Sequence, residues 1–514
     1  MPFRPLRLLT AMSLLAATFT SVGLAAQQPS TSSDSSTLHV TTQLVVLDVV
    51  VTDKKGNLVD RKLTKDDFVI KDNGVEQRIR HFETPDEHRM PAADKPIVNS
   101  AADLRKIGDA PVTVLVLDEL NSRFEDMSYS RQMLVKYLQR QPAVLPQPTV
   151  LLVATNSRFS QLHDYTQDRD ALIQIVKKHM PEFPYKANQR GGPAAVERMA
   201  QVLAALQQIC EASTGTPGRK NLIWVGTGFP TANLVGLDDQ TTATLEAAIR
   251  RVTSRLLAAR ITMYSINPAP GSSATVDVES PDDLNVTDEY GSDPFGSGGI
   301  SFSSLAPSTG GTAFTGRNDI DNIIGEGINK GRDYYTLSYT PSVLVDAKTD
   351  YRTVHIVMKD PDLRAVTRSG YYANSAPDLN PLMDKTMDAK QARANLQLDL
   401  SSALTSTISY NGLEIHATKD GDGTYSIAVS EQGIAWSDPT AEGNQSTEDT
   451  VAAGWYDGKG KLLGHVAREL TASRVNGGVT FKLPVTVPSN ARRVRFVVRD
   501  ARNGKMGTDD IVLK

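Results

Sequence analysis

Cysteine is almost absent from these 514 residues; Cys210 is the only one. A chain with one thiol forms no disulfide within itself, so its domains must be held by packed cores alone. Cys210 follows Val196, Met199, Val202, Leu203, Leu206 and Ile209, the apolar face of a helix, and is expected to be a buried structural thiol. Charge of neither sign dominates, since 55 Lys and Arg against 59 Asp and Glu leave a formal net charge of −4. That balance gives no support for nucleic-acid binding. The eight histidines are scattered and none forms His-Glu-x-x-His, which argues against a zinc hydrolase. No Gly-x-Ser-x-Gly elbow is present, so a serine hydrolase has no visible nucleophile. The stretch 215–220 has the glycines and lysine of a phosphate loop but precedes a strand, with Asn221 where Ser or Thr is required. Lacking a convergent acid, base and nucleophile, the chain reads as non-enzymatic.

Long apolar runs are equally scarce. One, at 8–17, lies near the amino terminus behind Arg4 and Arg7, with Gly23, Ala25 and Ala26 after it. It is too short and too interrupted by Thr and Ser to span a bilayer, and reads as a signal peptide over 1–26. The mature protein is then exported without a transmembrane segment, to the periplasm, the cell surface or the medium. A Ser/Thr-rich leader, 27–37, is expected to be disordered.

What the chain does contain is domain-scale pattern. Residues 38–84 read as a small β-module too short to be stable alone. A polar connector, 85–110, is expected to be mobile or draped over the surface. From residue 111 strands and helices alternate. The strands fall at 112–117, 149–154, 221–226, 261–266 and 334–339. The helices between them are at 125–140, 168–178, 194–211, 241–259 and 319–330, with Thr166 placed to cap the second. This predicts an α/β fold with a parallel sheet and helices on both faces. An acidic insertion, 268–299, should lie beside the carboxyl ends of the strands. One more strand is expected at 353–358, then a linker and helix over 374–405 with Pro381 in its first turn. From 406 to 514 the signals are those of a β-sandwich, with Arg493, Arg495 and Arg499 on a solvated face opposite Val494, Phe496 and Val498.

The stretch VTVLVLDELNS, 112–122, organises the rest. Apolar at nearly every position, it suits a parallel strand buried on both faces, and it delivers Asp118 to the end of the sheet where ligands of such folds bind. With the segments VVVTDKKGNLVDRKLTKDDFVIKDNGVEQRIRHFE, PGRKNLIWVGTGFP, LAPSTGGTAFTG, DYYTLSYTPS and TRSGYYA, it resembles a von Willebrand factor type A domain. More narrowly, it resembles the exported von Willebrand A-related family described mainly from Acidobacteria, over about residues 40 to 373.

That resemblance implies a 111–373 domain of the von Willebrand A, Rossmann-like type, binding a protein partner through Mg²⁺ or another divalent cation. The implied donors are an Asp and two Ser from the first loop, a Thr from a second and an Asp from a third. This chain keeps Asp118 and Ser122, but has Leu120 for the first Ser, Pro193 after Gly191 and Gly192 for the Thr, and Thr227 for the second Asp. Glu119 and Asn121 carry the other oxygens within the turn. Two readings stay open there: a degenerate metal site of Asp118, Glu119, Asn121, Ser122 and Thr227, or a turn that caps the following helix. The expected binding surface joins Asp118, Asn121 and Ser122 to Gly192, Pro193, Thr227 and Phe229. The function that follows is adhesion or envelope assembly by protein binding, with two alternatives: a scaffold that binds through its β-modules, or a Mg²⁺-dependent adhesion protein.

Overall fold

A computed structural model describes residues 44–182, 192–229, 239–269, 302–342, 351–373 and 389–513, apart from residues 60, 93, 422 and 475–477. The expected signal peptide and leader, nearly all of the acidic insertion, Gly191 and Pro381 lie outside the described residues. All of the described chain falls within one compact unit, Gln43–Lys514.

The first strands are β1 (Val45–Asp53), β2 (Phe68–Asp72), β3 (Val75–Gln77) and β4 (Ile79–Glu83). The α/β region follows as β5 (Val112–Asp118), α1 (Phe124–Gln139), β6 (Val144–Ala154), β7 (Phe159–Asp168), α2 (Arg169–Lys178), α3 (Gly192–Ala212), β8 (Lys220–Val225), α4 (Asp239–Ala258) and β9 (Ile261–Ile266). It closes with α5 (Leu305–Ser308), β10 (Ala313–Phe314) and α6 (Ile320–Lys330). Its sheet has the order β10-β9-β8-β5-β6-β7, parallel except for β7.

Alternation along β5 explains the two helical layers. Val114 and Val116 face α3 and α4, packing with Met199, Leu206, Ile249 and Leu256. Leu115 and Leu117 face α1, α2 and α6, packing with Leu134, Ile173 and Ile324. Every residue of β5 is buried, as a two-faced parallel strand requires. The chain leaves β5 for β6 on one side and later returns to β8 on the other, which puts the topological switch at Asp118.

Strand 334–339 corrects the sequence reading. It forms β11 (Tyr335–Tyr339), antiparallel between β1 and β4, and is not a member of the parallel sheet. It is followed by β12 (Tyr351–Met358), β13 (Leu363–Val366) and β14 (Gly370–Tyr372). These build two sheets with the amino-terminal strands, β13-β1-β11-β4 and β14-β12-β2-β3. The physical reason is their shared core: Leu47, Val49, Phe68 and Ile70 are buried against Leu337, Tyr339 and Val354. Beneath β9, Arg260 binds Asp48 of β1 at 2.6 Å and Thr336 of β11 at 3.0 Å, tying this sandwich to the foot of the parallel sheet.

The connector is draped. Val98, Leu104, Ile107 and Ala110 pack on Val112, and Gln167 Oε1 accepts the Ile97 and Val98 amides. Asp168, not Thr166, caps α2, accepting the Asp170 and Ala171 amides at 2.9 and 3.0 Å, because the helix starts at Arg169 and only the residue directly before it can reach those amides.

After α7 (Ala389–Thr405) come β15 (Ile415–Gly421), β16 (Thr424–Ser430), β17 (Ser446–Tyr456), β18 (Leu462–Ser473), β19 (Gly478–Pro484), β20 (Arg493–Asp500) and β21 (Met506–Val512). Two antiparallel sheets, β15-β16-β19 and β18-β17-β20-β21, share a core of Tyr425, Ile427, Phe481, Val494 and Phe496. The expected solvated arginine face is a second correction. Arg495 and Arg499 are buried, since α7 crosses that face and Ala452, Val497, Leu400 and Leu404 join the α3–α4 core. Arg495 Nε donates to Ala403 O at 2.9 Å and Nη1 to Asp510 at 2.7 Å, which compensates the buried charge.

Candidate functional site

The switch point is a closed knot of hydrogen bonds. Asp118 Oδ1 accepts the amides of Leu120 at 3.2 Å and Asn121 at 3.0 Å, so the carboxylate shapes its own turn. Its Oδ2 accepts the Trp224 indole N–H at 3.2 Å and the Gly228 amide at 2.7 Å, from the loop after β8. Ser122 Oγ accepts the Thr227 amide at 3.1 Å from the same loop. Gly226, at φ +147°, lets the two loops touch: a Cβ there would lie 2.3 Å from Asp118 Cβ and 2.7 Å from Ser122 Oγ. Burial pushes the Asp118 carboxyl up to about 6, against the pull of its four donors.

Glu119 points to the opposite side, as strand alternation dictates. Its carboxylate is buried and meets His179 Nε2 at 2.7 Å and the Glu182 amide at 3.1 Å, which pins the end of α2. Ser157 Oγ donates to Glu182 Oε1 at 2.8 Å and links the loop after β6. Three loops beyond the carboxyl ends of the strands, 119–123, 155–158 and 179–182, are thus fastened to one another.

The donor set does not fit a divalent cation. Mg²⁺ needs about six oxygens with lone pairs aimed inward. Both Asp118 oxygens are engaged by two N–H donors each, Ser122 Oγ receives an amide, and Glu119 is turned away. Among the described residues no three His, Cys, Asp or Glu side chains are grouped to hold a metal ion.

Of the sequence candidates, Asp118, Asn121, Ser122 and Thr227 are brought together, but as a structural clasp. The Asn121 side-chain atoms are buried without a partner, and Thr227 contributes its backbone. Phe229 is not a surface residue: only 2 % exposed, it packs edge-on against Phe302 at 5.2 Å, because the glycine turn folds it inward. Asp118 and Ser122 are likewise too buried to meet a partner directly. Gly192 and Pro193 open α3. Sequence reasoning missed His179 and Trp224. A tryptophan inside a buried strand signals a nearby acceptor, since its N–H must be satisfied. His179 gave no such signal. Cys210 is fully buried, which pushes its thiol up to about 12, as expected of an inert core residue.

No family model matches the chain, and no curated protein matches it. Among solved structures it overlaps an aerotolerance-related membrane protein from Bacteroides fragilis with 12% identity and a TM-score of 0.27, over 43% of this chain and 98% of that one. An endonuclease/exonuclease/phosphatase from Beutenbergia cavernae overlaps with 12% identity and a TM-score of 0.12, over 36% of this chain and 38% of that one. Likenesses this loose carry no argument about function. No helix among the described residues is long and apolar enough to cross a membrane.

Proposed function

We propose that this is an exported, non-catalytic binding protein of the von Willebrand A type, which takes a protein partner at the crest of loops beyond the strand carboxyl ends, without a metal ion. The observation that carries the reading is what this crest leaves to solvent. Met180, on the loop after α2, is 83% exposed and Phe124, which opens α1, 40%; Arg123 and Arg158 are also exposed, and the Glu119 and Glu182 bonds hold the loops in place. Large apolar side chains on a fixed, polar-rimmed surface suit protein contact more than chemistry. The described β-sandwiches pack at the foot of the sheet and against the α3–α4 layer.

Photo-crosslinking amino acids at positions 180 and 124 of the full chain, exposed to envelope extract, test it. The expected outcome is one shared adduct from both positions, unchanged by EDTA, and none from a control at Val512 on the carboxy-terminal sandwich. Adducts from Val512 or Val366 alone would make the β-modules the binding element and the protein a scaffold. Loss of the adduct in EDTA would restore a cation to the mechanism.

A further inference from the structure

One histidine anchors the start of the connector. Thr84 opens a short turn, 85–88, in which the Glu87 carboxylate accepts the Thr84 amide at 2.6 Å. This turn delivers His88 into the seam between the amino-terminal sandwich and the foot of the parallel sheet. There His88 is 2% exposed and lies flat on Tyr334, with ring centroids 4.6 Å apart. Between His88 and Ile97, no hydrogen bond among the described residues ties the connector to the rest of the protein. We propose that His88 is an acid-sensitive latch: its neutral ring holds this end of the connector in the seam, and protonation of the ring releases it. The proposal is independent of what the crest binds.

The seat suits a neutral imidazole and not an imidazolium. Thr336 Oγ1 lies 3.1 Å from His88 Nε2, accepts Arg260 Nη2 at 3.0 Å and donates to Asp48 Oδ1 at 3.3 Å. With the one hydroxyl proton given to Asp48, Nε2–H donates to Thr336. A second proton must then enter at Nδ1, which is buried without a hydrogen-bond partner. An imidazolium has two N–H donors, and this seam supplies an acceptor for one of them.

The surrounding charges pull both ways. Arg260, just past α4, repels a cation on the ring, while Glu83 on β4, Asp48 on β1 and Asp109 near the end of the connector attract one. Asp48 is already held by Arg260 at 2.6 Å. Glu83 is 41% exposed and its Oε2 stands 3.6 Å from Nε2, outside hydrogen-bond reach and open to screening by water. Arg219 lies 5.2 Å from the centre of the Tyr334 ring, while Arg332 pairs with Asp333 and Arg89 with Asp86. Burial first, and Arg260 second, therefore hold His88 below its ordinary value of 6.5. Released, the ring titrates near 6.5. The open form thus binds more protons, so the closed form prevails above pH 6.5 and gives way as the pH falls below it.

Backbone hydrogen exchange of the full chain, read by mass spectrometry at pH 7.5 and 5.5 and corrected for the intrinsic rate, tests the latch. Peptides spanning 79–92 are expected to exchange several-fold faster at pH 5.5. The ceiling is about tenfold, because a free imidazole one unit below its pKa is protonated about ten to one. Peptides from β8 and β17 are expected to stay unchanged. His88→Phe keeps a ring on Tyr334 without a titrating nitrogen and is expected to abolish the rise. Glu83→Gln removes a carboxylate that favours the proton in the closed form, so its rise is expected to equal or exceed that of the wild type. Exchange at the imidazole carbon gives the titration of His88 itself, expected below that of the exposed His81 and His355. A corrected wild-type ratio within about twofold, a rise that persists in His88→Phe, or His88 titrating with or above His81 would each overturn the proposal. The wild-type ratio and the His88 titration decide it even where His88→Phe does not fold.

Discussion

At the scale of single residues, Asp118 is the informative case. Its position was legible in the sequence, because a run of apolar residues ending in a carboxylate places that carboxylate at the lip of a parallel strand. Its role was not. A loop motif states which side chains are present, but not that the amides of Leu120, Asn121 and Gly228 and the Trp224 indole converge on one carboxylate. Replacing it by Asn keeps the size but turns an amide group toward N–H donors. Asp118→Asn is therefore expected to lower stability by about 2 kcal/mol, the range for hydrogen bonds to a charged group, read as a shift in urea midpoint. A cation held at wild-type Asp118 would act in the opposite sense, since ligand at about 100 times its Kd stabilises by about 2.7 kcal/mol. The wild-type midpoint is accordingly expected to be the same in about 10 mM MgCl2 as in EDTA; a rise with Mg²⁺ would reopen the metal site.

Among elements, legibility followed burial. The central strands β5, β6, β8 and β9 and their helices are apolar enough to declare themselves. The edge strands β7 and β18 are not legible because their sequences, FSQLHDYTQD and LLGHVARELTAS, are rich in polar residues and lack a clear apolar alternation; β7 is mostly half-buried and only β18 is substantially exposed. The helix layer hides something else that periodicity does not report. Glu211 of α3, Arg255 of α4 and Asp399 of α7 meet in the interior, with Arg255 Nη1 2.8 Å from Glu211 Oε1 and Gln207 Nε2 donating to both carboxylates at 2.9 and 2.6 Å. Burial, with Asp399 beside it, pushes the Glu211 carboxyl up to about 8, and burial raises Asp399 as well. In the unfolded chain Glu211 loses its proton near its ordinary value of 4.5, while the folded chain keeps it to about 8. The folded state thus binds more protons across that window, and this site's contribution to stability falls as pH rises through it. Glu211→Gln fixes the neutral form. Its unfolding midpoint is expected to decline less than the wild type's between pH about 5.5 and 8.5; parallel declines would mean that the α3–α4–α7 junction is not pH-sensitive.

Across the whole molecule, the chain twice returns on itself. Strands β11 to β14 complete a sandwich begun nearly three hundred residues earlier, where Val45 pairs with Tyr339 and Val50 with Val366. Later, α7 and the β17–β20 sheet press their second face into the α3–α4 core, so Ala452, Val497 and Met506 are buried with Leu206 and Leu256. A sheet whose two faces belong to two cores cannot lose one without wetting the other, at about 25 cal/mol for each Å² of apolar surface exposed. The α/β layer and the carboxy-terminal sandwich should therefore unfold as one unit, although their sequences read as separate domains. Three tryptophans report on the two bodies: Trp224 sits in β8, while Trp436 and Trp455 belong to the sandwich. The double variant Trp436→Phe, Trp455→Phe leaves Trp224 as the only indole signal and removes neither core. Its fluorescence midpoint is expected to coincide with the midpoint of that same variant by far-ultraviolet circular dichroism, with one calorimetric peak. Two peaks, or fluorescence that changes several degrees apart from the dichroism, would mean that the shared core does not couple the two bodies.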